Sequence, residues 1–467
     1  MSGIGTVFNR GLDGINVALK GLATASNNIA NINTKGYARQ QIVVSPRLAS
    51  ADGVGGGAEV VAVQSIVSPF VEMQLFTTAN RFGTYDGRRP TVTQIENIWA
   101  DSQQNGIGKS LSDYFNAWSS LANDPSSSSL RQTVVSIGET VAGHFNTVSS
   151  QLKQLKRDLS SEISDRADKI NEMLGAIAGL NQNISEAGGP NKAQDMASQR
   201  TYLLRQLSEE MSVAYFEDPE GNVQVTTENG TALVNRYDAA TLSVTNNLGY
   251  NGNIAIGVTL PGDTTALDIT SRITGGRLGG NLIERNTTLN QQIADIDELA
   301  YEFVTEINGL HSTGFGLDGS TNNLFFAALG SSQDAAANIR VDANVQNNLN
   351  LVAAAGADPT TTGVGNNTMA LQIFGLRNSQ VMSGNTQTFT DYYRGIVGEA
   401  GSLSASIQQN FDLQQKLLTQ TEIQRESISG VNLDEEGATI IQYQKAFQAS
   451  SRIMGVANEL MDALLRI

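Results

Sequence analysis

Four groups of residues have types and spacings that could do chemistry. Gly106-Ile107-Gly108-Lys109-Ser110 holds the lysine and hydroxyl of a phosphate loop, but Gln103 stands where the first glycine belongs and no apolar strand leads in. Asn432, Asp434 and Glu436 alternate before Gly437 as in a calcium loop, yet Tyr443 occupies the place of the bidentate carboxylate. Acids at a helix start also answer the positive end of its dipole, and that is the role assigned to them. His144 and His311 have no nucleophile and acid in a recognisable arrangement and are read as solvated or capping residues. Among 46 Asp+Glu no pair is singled out for glycoside hydrolysis. There is no cysteine, hence no disulfide, thiolate metal site or thiol nucleophile. The expectation is no catalytic residue, no cofactor and no metal, so not an enzyme. A secreted enzyme with an unrecognised carboxylate site is the alternative of another class.

The charge balance narrows the partners. With 30 Lys+Arg the formal charge is −16, which leaves no basic footprint for a phosphate backbone, so no nucleic acid is expected. No segment approaches the roughly 18 uninterrupted apolar residues of a membrane span. Residues Met1 to Phe8 lack a charged stretch followed by an apolar run, and ordinary secretion logic would then expect a cytoplasmic protein.

The remaining signal is periodic. Phe8, Leu12, Ile15, Leu19, Leu22, Ser26 and Ile29 are spaced 4-3-4-3-4-3, the 3.5-residue period of a helix that supercoils against a partner. Gly36 can end that helix in the left-handed region. Ala38 to Ser45 and Ala58 to Val63, joined through Gly53 to Gly57, read as a β-hairpin. Helical patterns follow to about Ala122. Asp124-Pro125 and the serines after it mark a cap region before a very long helix, Leu130 to Glu186, and Gly188-Gly189-Pro190 turns the chain into a return helix to about Met211. At the other end Ile440, Tyr443, Phe447, Ser450, Met454, Ala457, Met461 and Leu464 repeat the seam as 3-4-3-4-3-4-3.

The fold expected is mainly α with a small β domain: a terminal α-helical coiled coil, a long-helix bundle as middle domain and an outer β-rich domain. Residues 1–65 form the N-terminal coiled-coil helix and hairpin and pair with the C-terminal helix at 429–467. Residues 66–211 form the bundle, completed by 282–311 and 365–428; 212–281 form the small β domain, and 312–364 a loop-rich insertion.

Two stretches carry a family resemblance. Ser26, Asn27, Asn28, Asn31, Asn33, Thr34, Gly36, Tyr37, Arg39 and Gln40 resemble the N-terminal signature of the axial proteins of the bacterial flagellum, the rod, hook and hook-associated proteins. Ser429, Gly430, Val431, Asn432, Asp434, Glu435 and Glu436, with Gln442 to Ala449 after them, resemble the C-terminus of the hook-associated members at the hook–filament junction. Hook or distal rod protein is the alternative within this class.

The resemblance implies a structural protein of the flagellum, exported by the flagellar type III apparatus without a cleaved signal, which overturns the cytoplasmic expectation. It implies as partners copies of the chain itself in a ring, the hook protein, the next hook-associated junction protein, and an export chaperone on the C-terminal helix. The terminal seams are the expected assembly interface: Leu12, Ile15, Leu19, Leu22 and Ile29 at one end, and Ile440, Tyr443, Phe447, Met454, Met461 and Leu464 at the other. They should pair antiparallel, with neighbouring copies completing the burial.

Overall fold

The computed structural model describes residues 2–47, 55–100, 106–190, 192–247 and 252–465. Helix α1 (Ser2–Ala30) leads to a two-stranded antiparallel hairpin, β1 (Gln40–Pro46) and β2 (Ala58–Ser65). Part of the expected glycine turn, Gly53 included, lies outside the described residues. Helices α2 (Pro69–Ala100), α3 (Ile107–Asn123), α4 (Ser128–Glu186) and α5 (Gln194–Glu210) follow. The Ser127 hydroxyl caps α4 by accepting from Leu130 N, as the serine-rich approach suggested.

The run Gly106 to Ser110 opens α3, with Gly106 as its N-cap and the Ser110 hydroxyl donating to the Ile107 carbonyl. Lys109 pairs with Asp113 one turn on.

The β region is two small antiparallel sheets. One joins β3 (Val213–Glu217), β4 (Val223–Thr227), β5 (Ala232–Asn235) and β6 (Asp238–Ala239); the other joins β7 (Thr241–Asn247), β8 (Asn253–Thr259) and β9 (Leu267–Asp268). Both lean on α4. The Asn181 amide there donates to the Val223 and Arg236 carbonyls, and Asn171 bonds both backbone groups of Leu242.

The helix after the sheets starts at Gly276, before residue 282 where the bundle was expected to resume. Helix α6 (Gly276–Ile283) runs through a π-turn at Glu284–Thr288 into α7 (Leu289–Thr313). Glycines hide it, because they lower helix propensity by about 1 kcal/mol each. At Gly280 the missing Cβ lets the Thr84 carbonyl of α2 lie where a side chain would begin.

Residues 312–364 hold only short helical turns, Ala335–Asn338, Ala343–Asn347 and Pro359–Thr362 among them. They are nevertheless part of the core. Phe325 and Phe326 are fully buried; Phe325 meets Phe326, Tyr114 and Trp118 edge-on, and Phe326 lies tilted against Tyr114 and Phe303. His311 corrects the expectation of a solvated or capping residue: it is buried against Trp118, its Nε2 accepts from Ala353 N, and its Nδ1 donates to the Asn323 carbonyl. His144 is half-buried on α4.

Two long helices close the chain, α8 (Phe389–Ser429) and α9 (Leu433–Leu465). Helix α8 returns antiparallel along α2, with Phe82 on Phe411 and Arg89 over the Phe411 ring. Helix α9 returns along α1. No helix of the described residues is long and apolar enough to cross a membrane.

Candidate assembly interface

The terminal helices pair antiparallel within one chain, and α9 uses the face its periodicity marked. Met454 lies over Gly11, Ser450 over Gly14 and the Tyr443 ring over Gly21; Ala457 is buried, and Ile440 and Phe447 are half-buried. Met461 near the end is exposed, and the side chain of Leu464 lies outside the described residues.

On α1 the expected face is corrected. The residues turned inward are Gly11, Gly14, Ala18, Gly21, Ala25 and Asn28, all but half-buried Gly14 being buried. They repeat 3-4-3-4-3, and each precedes by one residue a member of the large apolar stripe, Leu12, Ile15, Leu19, Leu22, Ser26 and Ile29. One residue is about 100° around a helix, so the stripe faces sideways from the pair. Leu12 is 42% exposed and Leu19 49%, while Ile15, Leu22 and Ile29 are half-buried. Size explains the choice. Small residues let two helices approach until large knobs of one rest on the backbone of the other, whereas leucines on that face would hold them apart. Since Gly and Ala scarcely register in a hydrophobic period, the inner seam was hidden behind a louder stripe with the same repeat.

The two signature stretches meet at the foot of this pair. Buried Asn28 acts like a strand residue: its Nδ2 donates to the Gln40 carbonyl and its Oδ1 accepts from Gln40 N, both at 2.9 Å. The Tyr37 hydroxyl donates to the same Oδ1 at 2.8 Å and accepts from Asn27 at 3.3 Å. Burial first, then the charges of Asp195 and Glu436, push the Tyr37 phenol well above its ordinary range, so it stays a donor. Asn31 bonds the Asn27 carbonyl and accepts from Thr34, which shapes the turn; Ser26 and Asn33 are exposed. Gly36 has φ +81°, and a Cβ there would strike the Tyr202 ring of α5.

From the other end, Arg39 N donates to the Ser429 carbonyl at 2.8 Å, and the Arg39 guanidinium pairs with Glu435. Gly430 caps α8 and Asn432 caps α9, its Oδ1 accepting from Asp434 N at 2.9 Å. Asp434, Glu435 and Glu436 stand in the first turn, the dipole position expected of them. Val431, half-buried, bridges the two caps.

Sequence reasoning missed the residue at the centre. Arg425 of α8, 5% exposed, donates through Nη2 to the Gly36 and Tyr37 carbonyls at 3.0 and 2.8 Å, and its Nε reaches Glu72 of α2 at 3.2 Å. Glu72 also holds Arg205 of α5 at 3.4 Å. Gln40 donates to Asp195 of α5 at 2.7 Å. The signature is thus a clasp binding the terminal coil to α2, α5 and α8. An arginine inside a helical stretch gives no periodic signal, so only its three-dimensional partners reveal it.

Three family models match separate stretches of the chain. The family model for the flagellar hook-associated protein FlgK helical domain matches residues 92–326. The flagella basal body rod protein model matches 11–37, and the flagellar basal body rod FlgEFG protein C-terminal model matches 424–467. Flagellar hook-associated protein 1 of Bacillus subtilis is 24% identical over 95% of this chain and 94% of its own length. The Salmonella typhimurium and Escherichia coli proteins of that name are 24% and 23% identical, each over 99% of this chain and 100% of the relative. A solved structure, the flagellar hook junction protein FlgK from Burkholderia pseudomallei, shares the fold with TM-score 0.67 at 17% identity, covering 76% of this chain and 100% of that one.

Proposed function

The chain belongs to the FlgK family of flagellar hook-associated proteins, and we propose that it forms the junction between hook and filament by polymerising through its terminal helices. The observation that carries the reading is the displaced stripe on α1. The helix satisfies its partner α9 with small residues and leaves its large apolar stripe on a separate face, where Leu12 and Leu19 stay exposed and Ile15, Leu22 and Ile29 are only half-buried. Burying a large apolar side chain gains about 1.5–3 kcal/mol, so a few per copy outweigh the cost of ordering the contact.

In this reading copies of the chain complete one another's stripes in a ring around the flagellar axis. The hook protein lies on one side and the next hook-associated protein on the other, and the stiff α2, α4 and α8 body adapts the bending hook to the filament. The chain leaves the cell through the flagellar export channel, with a chaperone on α9 until assembly. A mainly helical body favours the junction over the hook-protein alternative.

Deletion of the gene followed by microscopy tests this. Hooks without filaments, with flagellin shed to the medium, are expected; filaments of normal number and length on the deletion strain would contradict it.

A further inference from the structure

Resting on the reading that copies of this chain assemble together, we propose that contacting copies meet head to tail, the basic outer face of α9 in one copy against the acidic elbow between α8 and α9 in the next. The two surfaces carry opposite charge in a chain whose total is −16. Between Gly437 and Asn458, α9 contains Lys445 and Arg452 and no acid. Both are exposed, and neither is ion-paired among the described residues. Helix α1 beside it adds Arg10 and Lys20 against one acid, Asp13, which is buried and paired with Arg47 at 3.1 Å. The elbow is the reverse. Glu422, Glu426, Asp434 and Glu435 are exposed there; Glu426 and Glu435 pair with Arg425 and Arg39, while Glu422 and Asp434 have no ion pair among the described residues.

Apolar surface accompanies the charge on both sides. The elbow holds a cleft of about 520 Å³ lined by Ile32, Ile428, Val431 and Leu433, with Glu426, Glu435 and the Arg39 that pairs with Glu435 also lining it; Leu433 is 54% exposed. The outer face of α9 carries Ile441, Lys445, Arg452 and Val456 at helical spacing, with exposed Glu459 closing its far end, away from the Tyr443, Phe447 and Met454 face that meets α1; Val456 is 55% exposed. An apolar centre with positive flanks on one surface and negative flanks on the other suits a second copy of this chain. A two-fold contact of either surface with itself would set its like charges together, whereas the head-to-tail arrangement pairs opposite ones and passes from copy to copy around the axis.

The geometry fixes a distance. Lys445 and Arg452 lie eleven and eighteen residues beyond Asp434, so contacting copies are offset by about 16–27 Å along the coil, at roughly 1.5 Å per residue.

The test uses the full chain in cells lacking the chromosomal copy, with filament-bearing hooks counted by microscopy and the shed chain measured in the medium. K445E/R452E and E422K/D434K should each reduce filament-bearing hooks about tenfold, with the exported chain accumulating outside. The variant carrying all four changes should restore them. If either double variant assembles like the unaltered chain, or the fourfold variant fails to recover, the contact is overturned. If the unaltered chain itself supports no junction, the underlying assembly reading falls instead. Electron cryomicroscopy of the unaltered junction is a readout independent of any variant. An offset of about 16–27 Å with α9 of one copy on the elbow of the next supports the proposal; hook protein or another molecule seated on the elbow overturns it.

Discussion

Gly21 shows what a single residue does in this molecule. The Tyr443 ring lies where its Cβ would be, so Gly21→Val forces α1 away from α9. Overpacking of this kind costs about 1–3 kcal/mol. Denaturation of the purified chain should show the loss, while Gly175→Ala, which meets nothing within 4 Å, should be neutral or stabilising by up to about 1 kcal/mol. His311 makes a pH-dependent contribution. Burial lowers its pKa from 6.5 to about 4, so the folded ring is neutral while the unfolded ring takes up a proton from about pH 6.5 downward. The unfolded state therefore binds more protons between those values. Stability from this group is complete above about pH 6.5 and falls by about 3 kcal/mol as pH drops toward 4. Thermal melts across that range should show the slope, and His311→Gln should remove its share of it.

Among elements, the joint between the terminal coil and the body matters most, and it hangs on Arg425. Arg425→Ala leaves the Gly36 and Tyr37 carbonyls unanswered and Glu72 with Arg205 alone, a loss of about 3 kcal/mol by the usual cost of breaking a buried pair. Hydrogen exchange should then rise in α1 and α9 while residues 134–177 of α4 keep their protection; equal loss in both would mean the clasp is not a separate joint. The helices themselves were largely legible. Leu130 to Glu186 and the return to Met211 repeat apolar residues at helical spacing, and the structure places α4 and α5 there within a few residues. What stayed hidden has a common cause. The inner seam of α1, the start of α6 and the close packing of α2 all depend on glycines, whose value is the approach they permit, and Phe325 and Phe326 enter the core from a segment without periodicity. The motif residues were found by resemblance, but their wiring through Arg425, Glu72 and Asp195 spans hundreds of positions and leaves no local trace.

At the scale of the whole molecule, one chain folds its two ends into a pair and still leaves apolar surface uncovered. The pairing of α1 with α9 is made within one chain. What waits is the second face. A stripe that follows the inner seam by one residue gives α1 two heptad faces, one that meets its own chain and one that, in the assembly proposed above, meets a neighbouring copy. Since the chain has no cysteine, Leu19→Cys places one reactive thiol on that stripe. Maleimide labelling of this variant, free in solution and within flagella, measures the claim most directly. Rapid labelling of the free chain with strong protection in the assembled junction is expected, and labelling at the same rate in both states would contradict the account.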